Sequence, residues 1–187
     1  MKIEVVGLDP SLSNLGICRG IIDLDDDSII VKSLKLVETK GAGKKKVVRQ
    51  NSEDLERAMA LYQGLQEGCQ GAKLAFVEIP VGSQSARAMA SYGICLGVLA
   101  SCPIPIIQVT PTEVKKAGYG VATATKREMI DWATATYPDA NWLTVKRGGQ
   151  LVVTDKNEHL ADAAAAISAG IQTDQFRQLA SLMRGMS

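Results

Sequence analysis

The chain has 187 residues and a formal net charge of +1, with 46% apolar and 22% charged side chains. This length and composition predict one globular domain with a full core, and the near-neutral charge argues against bulk binding to nucleic acid. No apolar run approaches the length of a membrane span, and no signal peptide pattern precedes the strand-like residues that start at Ile3. We therefore expect no membrane association.

The first part of the chain predicts three strands joined by short connections. Residues 2–9 form an apolar run typical of a central strand, and Pro10 to Asn14 read as a turn. A second strand is predicted over Leu15 to Ile22 and a third over Ile29 to Val37. Short connections between successive strands favour an antiparallel meander.

The rest of the chain alternates helices with two further strands. In chain order, the pattern predicts a helix from Ser52 to about Gly68, a strand over 73–78, a helix over Ser83 to Ala100, a strand over Ile104 to Val109, a short helix from Thr110, a helix over Thr125 to Tyr137 and a last helix over 156–171.

Two regions between these elements carry more specific expectations. Residues 138–153 are expected to be irregular, with at most a short strand at Leu151 to Val153. Asp155 and Glu158 are spaced like a capping box for the last helix. The whole order predicts an α/β fold, in which a mixed five-stranded sheet, with three antiparallel strands followed by two parallel ones, is flanked by helices in a single domain over residues 1–187.

Three carboxylates occupy positions where soluble proteins rarely place a charge. Asp9 ends the first apolar strand, Glu78 ends another, and Asp162 lies within a helix of small residues. Such a charge is costly unless it is paired or holds a metal ion. Each acid alone is more often a solvated strand end or a helix cap. The three together predict a site for a hard cation, of the kind that hydrolyses phosphodiesters.

His159 is the only histidine in the chain, and it lies three residues before Asp162. This spacing places both side chains on one face of the helix. A lone histidine is more often a core or surface residue than a ligand, but its position one turn before the acid favours a functional role. Glu158 is either an extra ligand or a group that complements the helix N-terminus.

Positive charge is concentrated between Lys40 and Arg49, which contains no acid. The segment lacks the glycine and hydroxyl positions of a phosphate-binding P-loop. It is by default a solvated charge run, and alternatively a loop that follows a DNA backbone. The candidate DNA-binding residues are Lys44, Lys45, Lys46, Arg49, Arg87, Lys115, Lys116 and Lys126. The four cysteines form no C-x-x-C pair, which predicts free thiols.

In combination, the ordered motifs resemble the RuvC family of Holliday-junction resolvases. Gly7 to Ser11 is similar to the first acidic motif of the family, and Phe76 to Glu78 is similar to the second. Val109 to Lys115 looks like its Thr-Pro-x-x-Val-Lys stretch, and His159 with Asp162 looks like its last motif. The resemblance extends from about Ile3 to Ile171 and suggests a divergent, phage-type member.

The resemblance implies a ribonuclease H-like fold and a site with two Mg²⁺ ions, for which Mn²⁺ would substitute. Asp9 would contact both ions, Glu78 and Asp162 would each complete one coordination sphere, and His159 would be a ligand or a proton shuttle. The implied substrate is a four-way DNA junction in the cytoplasm of a bacterial or phage-infected cell. Symmetric cutting implies a homodimer, for which the helix over Ser83 to Ala100 offers apolar surface.

The chain departs from the family pattern where an aromatic residue usually follows the glutamate, because Pro80 to Ser83 contains none. Three other activities therefore stay open. The nearest is a broader nuclease for branched DNA, flaps or RNA–DNA hybrids, and another is a junction-binding protein without catalysis. An actin- or hexokinase-like phosphotransferase shares the core fold, but it needs two such domains and an adenosine motif, and this chain holds one copy of the domain.

Overall fold

The structure is a computed structural model that describes residues 1–39 and 50–185. Its strands are β1 (Lys2–Pro10), β2 (Asn14–Asp23), β3 (Ile29–Glu38), β4 (Leu74–Glu78), β5 (Ile106–Val109), β6 (Thr144–Arg147) and β7 (Gln150–Val153). Its helices are α1 (Gln50–Cys69), α2 (Ala86–Leu99), α3 (Pro111–Gly118), α4 (Lys126–Thr136), α5 (Glu158–Gly170) and α6 (Asp174–Gly185), with one 3₁₀ turn over Asp155–Asn157.

Five strands form one mixed sheet in the order β3-β2-β1-β4-β5. The pairs β1–β2 and β2–β3 are antiparallel, whereas β1–β4 and β4–β5 are parallel. The predicted fold class is therefore confirmed. Because β1 and β4 are parallel neighbours, their carboxyl ends reach the same edge of the sheet.

Helices cover both faces of the sheet. On one face α5 packs against β1, β2 and β4, and α3 and α4 pack against α5. On the other face α1 and α2 enclose a second apolar cluster that includes Leu8, Leu61 and Val77. The side chains of α5 are almost all buried, and its run of alanines lets the helix lie close to the sheet.

Residues 138–153 differ from the expectation of an irregular segment with at most one short strand. Strands β6 and β7 pair as an antiparallel hairpin around Gly148 and Gly149, whose φ angles are +57° and +83°. These positive angles suit the two-residue turn of a tight hairpin. The sequence signal is weak because neither strand has the alternation of apolar and polar residues that a half-buried strand shows.

The predicted capping box at the start of the last helix is wrong. Asp155 lies in the 3₁₀ turn, and Asn157 precedes α5 without a side-chain cap bond. Asn157 instead accepts a hydrogen bond from the Leu143 amide and donates to the carbonyl oxygens of Leu143 and Thr154. True capping boxes begin α3 at Thr110 and α4 at Thr125.

Helix α6 was not predicted, since the last expected helix ended at 171. Its buried Phe176 packs on Phe76 of β4 with ring centroids 5.6 Å apart. Arg184 adds hydrogen bonds to the Leu24 carbonyl and to Asp27. All four cysteines are free thiols, as predicted. Among the described residues, no helix is long and apolar enough to cross a membrane.

Candidate active site at one edge of the sheet

Asp9 and Glu78 lie side by side at the carboxyl edge of the sheet. The parallel register pairs Leu8 of β1 with Val77 of β4, and each acid is the next residue in its strand. The residues before them are fully buried, so both strands leave the core at this point. Asp9 is itself buried, with 8% of its surface exposed, whereas Glu78 is partly buried. The predicted convergence of the two strand ends is present.

The approach of α5 brings Asp162 and His159 to the same edge. A Cβ atom at Gly16, which pairs with Asp9 across β1 and β2, would collide with the carbonyl oxygen of His159. A Cβ atom at Gly7 would collide with the carbonyl oxygen of Ala163. The two glycines therefore set the distance between helix and sheet and, with it, the position of the helical side chains of the site.

The imidazole of His159 makes a hydrogen bond on each side of its ring. Its Nδ1 lies 2.5 Å from Oδ2 of Asp9, and its Nε2 lies 3.3 Å from Nδ2 of Asn14. This arrangement fits a neutral ring whose Nδ1–H donates to Asp9 and whose Nε2 accepts from the Asn14 amide. Both ring nitrogens are thus engaged by protein groups, which favours a role in orienting Asp9 and holding a proton over direct metal ligation.

The turn that carries Asn14 is braced from two directions. The hydroxyl of Ser11 accepts the backbone N–H of Asn14 and donates to its carbonyl oxygen. Arg57 of α1 donates to the hydroxyl of Ser13 at 2.8 Å and to that of Thr39 at 3.1 Å. These contacts hold the amide of Asn14 against the histidine ring.

Burial and mutual repulsion disfavour the ionised forms of two of the acids. Burial, followed by the negative charges of Asp9 and Asp162, raises the pKa of Glu78 to about 9. Burial, followed by the charges of Asp9 and Glu158, raises the pKa of Asp162 to about 7. Lys115 opposes both shifts with its positive charge. A divalent cation would oppose them much more strongly.

The same negative charges also raise the pKa of His159, whereas burial acts on it in the opposite direction. Burial lowers it, but the hydrogen bond to Asp9 and the charges of Asp9, Glu158 and Asp162 outweigh burial, so the pKa lies above its usual value. The ring is therefore suited to hold a proton near neutral pH.

The donor set fits a hard divalent cation, although no ready-made cage is present. Oδ1 of Asp162 is buried and has no hydrogen-bond partner, which leaves a carboxylate oxygen without a proton donor or a cation. Such an atom in a native structure points to a missing ion or water. Within residues 1–39 and 50–185, no three His, Cys, Asp or Glu side chains are already arranged to hold an ion. The acids share an edge and the right oxygen chemistry, and an ion would draw them together.

Three of the predicted DNA-binding lysines, which lie in the described part of the chain, have different surroundings. Lys115 of α3 faces the acids closely enough to lower the pKa values of Glu78 and Asp162. Lys116 instead lines a hollow beside Glu113. Lys126 lies at the same edge, where its ammonium group is 2.7 Å from Glu158.

Arg87 is not brought to the acids. Arg87 makes a bidentate ion pair with the buried Asp54, which holds the pKa of that carboxyl below its usual range through hydrogen bonding. Its guanidinium group therefore joins α2 to α1. Lys44, Lys45, Lys46 and Arg49 lie outside the described residues.

Asn14 is the residue of the site that sequence reasoning missed. It was part of the turn after Asp9, and nothing in its local sequence indicates a contact with a helix residue 145 positions later. The one available signal was the position of Asn14 five residues after Asp9, in the motif that ends at Gly16.

Comparisons with known proteins agree with the resemblance inferred from the sequence motifs, although no family model matches the chain. The crossover junction endodeoxyribonuclease RuvC of Prochlorococcus marinus (strain MIT 9312) is 28% identical over 134 residues, which cover 69% of this chain and 78% of that protein. A structure of T. thermophilus RuvC in complex with Holliday junction substrate superposes with a TM-score of 0.62 and 18% identity, over 94% of this chain and 96% of that one. Another Thermus thermophilus RuvC structure gives a TM-score of 0.58 and 18% identity, over 90% and 92% of the two chains.

These likenesses confirm the predicted resemblance to RuvC and the ribonuclease H-like fold. The first of them concerns the sequence, and the others concern the fold.

Proposed function

We propose that this protein is a metal-dependent endonuclease that resolves four-way DNA junctions by paired, symmetric nicks. The observation that carries the proposal is the convergence of Asp9, Glu78 and Asp162 at one sheet edge, with a buried carboxylate oxygen of Asp162 left unpartnered. This set of oxygens suits phosphodiester hydrolysis, and the fold is that of RuvC, whose substrate is such a junction.

In this mechanism Asp9, Glu78 and Asp162 hold the metal, for which Mg²⁺ is the expected ion and Mn²⁺ a substitute. Two such ions, when bound, supply the positive charge that stabilises the attacking and leaving oxygens of the phosphate. Glu78 and Asp162, whose pKa values are raised to about 9 and about 7, would have to release their protons to hold such ions. The product would carry a 5′-phosphate and a 3′-hydroxyl.

His159 orients Asp9 through its Nδ1 and is itself oriented by Asn14. A ring held this way keeps one carboxylate oxygen of Asp9 in a set direction. The pKa of His159 lies above its usual value, and Nε2 could take up a proton if the Asn14 amide turned its oxygen towards the ring, so we propose a proton shuttle as its second role.

Contacts with phosphates away from the cut would come from the basic residues around this edge. Lys115 is the first of these, because it already faces the acids. Lys126 would exchange its partner Glu158 for a phosphate group. The segment with Lys44, Lys45, Lys46 and Arg49 would extend the contact, and its neutralisation should lower the salt dependence of binding.

A homodimer is the expected assembly, because a junction has two strands to cut symmetrically. Helices α1 and α2 carry large apolar side chains that are about half exposed or more: Leu55 62%, Met59 63%, Tyr62 47%, Met89 47% and Leu96 45%. Between them lies a groove of about 350 Å³ that includes Leu55, Ala90 and Ile94. Contiguous apolar surface of this kind marks interaction sites.

The position of α2 connects this surface with the site. The helix begins at Ala86, after a short loop that follows Glu78. Two copies joined through α2 would therefore each present the edge with their acids near the shared axis. The cytoplasm of a bacterial or phage-infected cell is the compartment in which we expect this DNA substrate.

The test is nicking of a synthetic four-way junction beside matched duplex, flap and RNA–DNA hybrid substrates, in Mg²⁺ and in EDTA. Paired, symmetric, metal-dependent nicks confined to the junction are the expected result. Equal cutting of flaps or hybrids would make the protein a broader nuclease. Binding without cutting in either Mg²⁺ or Mn²⁺ would make it a junction-binding protein.

A further inference from the structure

The hairpin of β6 and β7 projects from the fold with almost all of its surface in solvent. Every residue of β6 is exposed, as are Gln150, Leu151 and Val152 of β7. Leu151 alone exposes 69% of its surface. A two-stranded hairpin with no covered face is marginally stable on its own in water. A partner that covered one of its faces would therefore stabilise it.

The root of the hairpin is held firmly. The Thr154 amide donates to the Leu143 carbonyl, and Asn157, which is fully buried, bonds both the amide and the carbonyl of Leu143. On the other side, Asn141 pairs with the amide and carbonyl of Leu34 on the edge strand β3. Beyond this root, four residue pairs at about 3.3 Å per residue extend the hairpin by roughly 13 Å.

The root also ties the hairpin to the candidate active site. Asn157 is two residues before His159 in the chain, and α5 starts directly after it. The hairpin therefore extends from the end of the helix that contributes His159 and Asp162. A molecule bound across the acids is the nearest large partner that the hairpin would meet.

The charge of the hairpin indicates what that partner is. Residues 144–153 include Lys146 and Arg147 and no acid. Neither side chain has an ion pair or hydrogen bond to any residue in the described ranges. The turn beyond them consists of Gly148 and Gly149, so the tip is narrow and has no side chains. A two-stranded ribbon of this width fits a groove of duplex DNA, with the cations reaching the flanking phosphates.

The pairing register gives both faces of the ribbon the same chemistry. Arg147 lies on the face of Val145 and Val152, and Lys146 lies on the face of Leu151. Each face therefore combines one cation for a phosphate with aliphatic groups that can lie against sugars or base edges. A protein partner of acidic character would suit the cations, but it would leave the narrow glycine tip without a role.

We propose that the β6–β7 hairpin is a DNA-contacting arm that grips the duplex leading away from the phosphate held at the acidic edge. This proposal rests on the proposed function, because it takes the same DNA as the partner. Lys146 and Arg147 would contact the DNA backbone outside the active site. These residues hold the DNA and do not touch the reacting atoms.

The experiment compares three variants with the wild-type protein. Lys146→Ala with Arg147→Ala removes the two cations of the arm. A shortened arm replaces residues 145–152 by Gly-Gly, which joins Thr144 and Val153, already partners across the hairpin. The control, Lys2→Ala with Lys73→Ala, removes two exposed lysines near the strand ends at the opposite edge of the sheet.

The primary measurement is the affinity for a labelled four-way junction in EDTA over a range of salt concentrations. Both arm variants should bind about tenfold more weakly near physiological salt, and the slope of log K against log salt should fall by roughly two contacts. The control should keep the wild-type slope. Hydroxyl-radical footprinting should show fewer protected nucleotides on one duplex arm. Single-turnover nicking in Mg²⁺ should be slower than wild type at limiting enzyme and should approach the wild-type rate as the enzyme concentration rises, because the acids are intact.

The outcomes separate this proposal from the proposed function. If the wild-type protein binds and nicks the junction and the arm variants match it in slope and footprint, only the arm proposal is overturned. If the arm variants instead change the mass of the protein in solution with no change in DNA affinity, the hairpin contacts a second copy and the arm proposal is also overturned. If the wild-type protein binds no DNA, both proposals are overturned.

Discussion

His159 and Asp9 are joined by a hydrogen bond of 2.5 Å between Nδ1 and Oδ2, although 150 positions separate them in the chain. The bond crosses the contact between α5 and β1, so it links the helical half of the candidate site to the half at the strand ends. Asn14 continues the link on the far side of the ring.

Asp9→Asn should abolish nicking and leave junction binding within about twofold of wild type. The amide keeps the shape of the side chain but removes the charge that a divalent ion needs, whereas binding depends on phosphate contacts elsewhere. Nicking in Mg²⁺ and affinity in EDTA are the two measurements. Asp139→Asn, which changes an exposed acid beyond α4, is the matched control. Substantial residual nicking by Asp9→Asn would remove Asp9 from the site.

Asn14→Ala should reduce nicking about tenfold or more while DNA affinity is unchanged, because groups that orient a catalytic residue typically have effects of this size. The His159 ring would lose the partner on its Nε2 and with it one constraint on Asp9. The pH profile of nicking should also shift, which a purely structural defect would not produce. Asn51→Ala, at an exposed position of α1, should behave as wild type. Equal activity of Asn14→Ala and Asn51→Ala would contradict this role.

Glu78→Gln should stabilise the metal-free protein at neutral and alkaline pH. The pKa of Glu78 in the folded protein, about 9, lies above the ordinary value of 4.5. The protonated carboxyl therefore contributes its full share to the free energy of unfolding below about pH 4.5, and this contribution is lost as the pH rises through 9. Thermal unfolding in EDTA should show a higher Tm for the variant at pH 8 and equal values near pH 4.5. A variant without this advantage at pH 8 would mean that Glu78 is not held in a repulsive environment.

Mg²⁺ should reverse that order of stability. An ion that binds only the folded state raises the Tm in proportion to the logarithm of its concentration above Kd. The wild-type protein should therefore gain from added Mg²⁺, and Glu78→Gln should gain much less. The gain of the wild type should increase between pH 6 and pH 9, because protons compete with the ion at Glu78 and Asp162. A gain that is equal in both proteins would place the ion elsewhere.

Gly16→Ala should destabilise the fold by about 1–3 kcal/mol and impair nicking, because the new methyl group would push against the backbone of His159. The free energy of unfolding and the nicking rate are measured together. Gly82→Ala is the matched control, since a Cβ atom there meets no atom within 4 Å. If both variants unfold at the same temperature, the close contact between β2 and α5 is not required.

Leu96→Glu should convert the proposed dimer to a monomer. The side chain of Leu96 is 45% exposed on α2, so the change does not disturb the core of one subunit, but it places a charge in the proposed apolar interface. Sedimentation velocity gives the mass, and junction nicking should lose its pairing of the two cuts. Leu182→Glu, at an exposed position of α6, is the control. An unchanged mass would move the interface away from α2.

Much of the site was accessible from the sequence because its acids follow apolar strands directly. A buried strand ends where its apolar run ends, and two parallel neighbours end at one edge of the sheet. The sequence alone therefore predicted that Asp9 and Glu78 lie close together. The position of Asp162 in the site was predicted from its helical spacing to His159. The order of short and long connections likewise predicted the sheet, since short ones favour antiparallel neighbours.

Other features depended on contacts between distant segments. The partner of His159 on its second nitrogen is Asn14, and the partner of Arg87 is Asp54; no local pattern specifies either pair. The β6–β7 hairpin was not predicted, because an arm exposed on both faces lacks the alternation of apolar and polar residues that is typical of a half-buried strand. Asp155 and Glu158 were predicted to form a capping box, yet the residue that precedes α5 is Asn157, whose side chain holds Leu143.

The sequence by itself determined which acids are present, where the apolar strands end and which helix carries Asp162 and His159, because these follow from hydrophobic periodicity along the chain. Only the tertiary structure decided that both nitrogens of His159 are occupied, that Oδ1 of Asp162 has no partner and that Lys115 faces the acids. The physical reason is that charge interactions and hydrogen bonds depend on distances in space, and residues far apart in the chain acquire those distances only when α5 packs on the sheet.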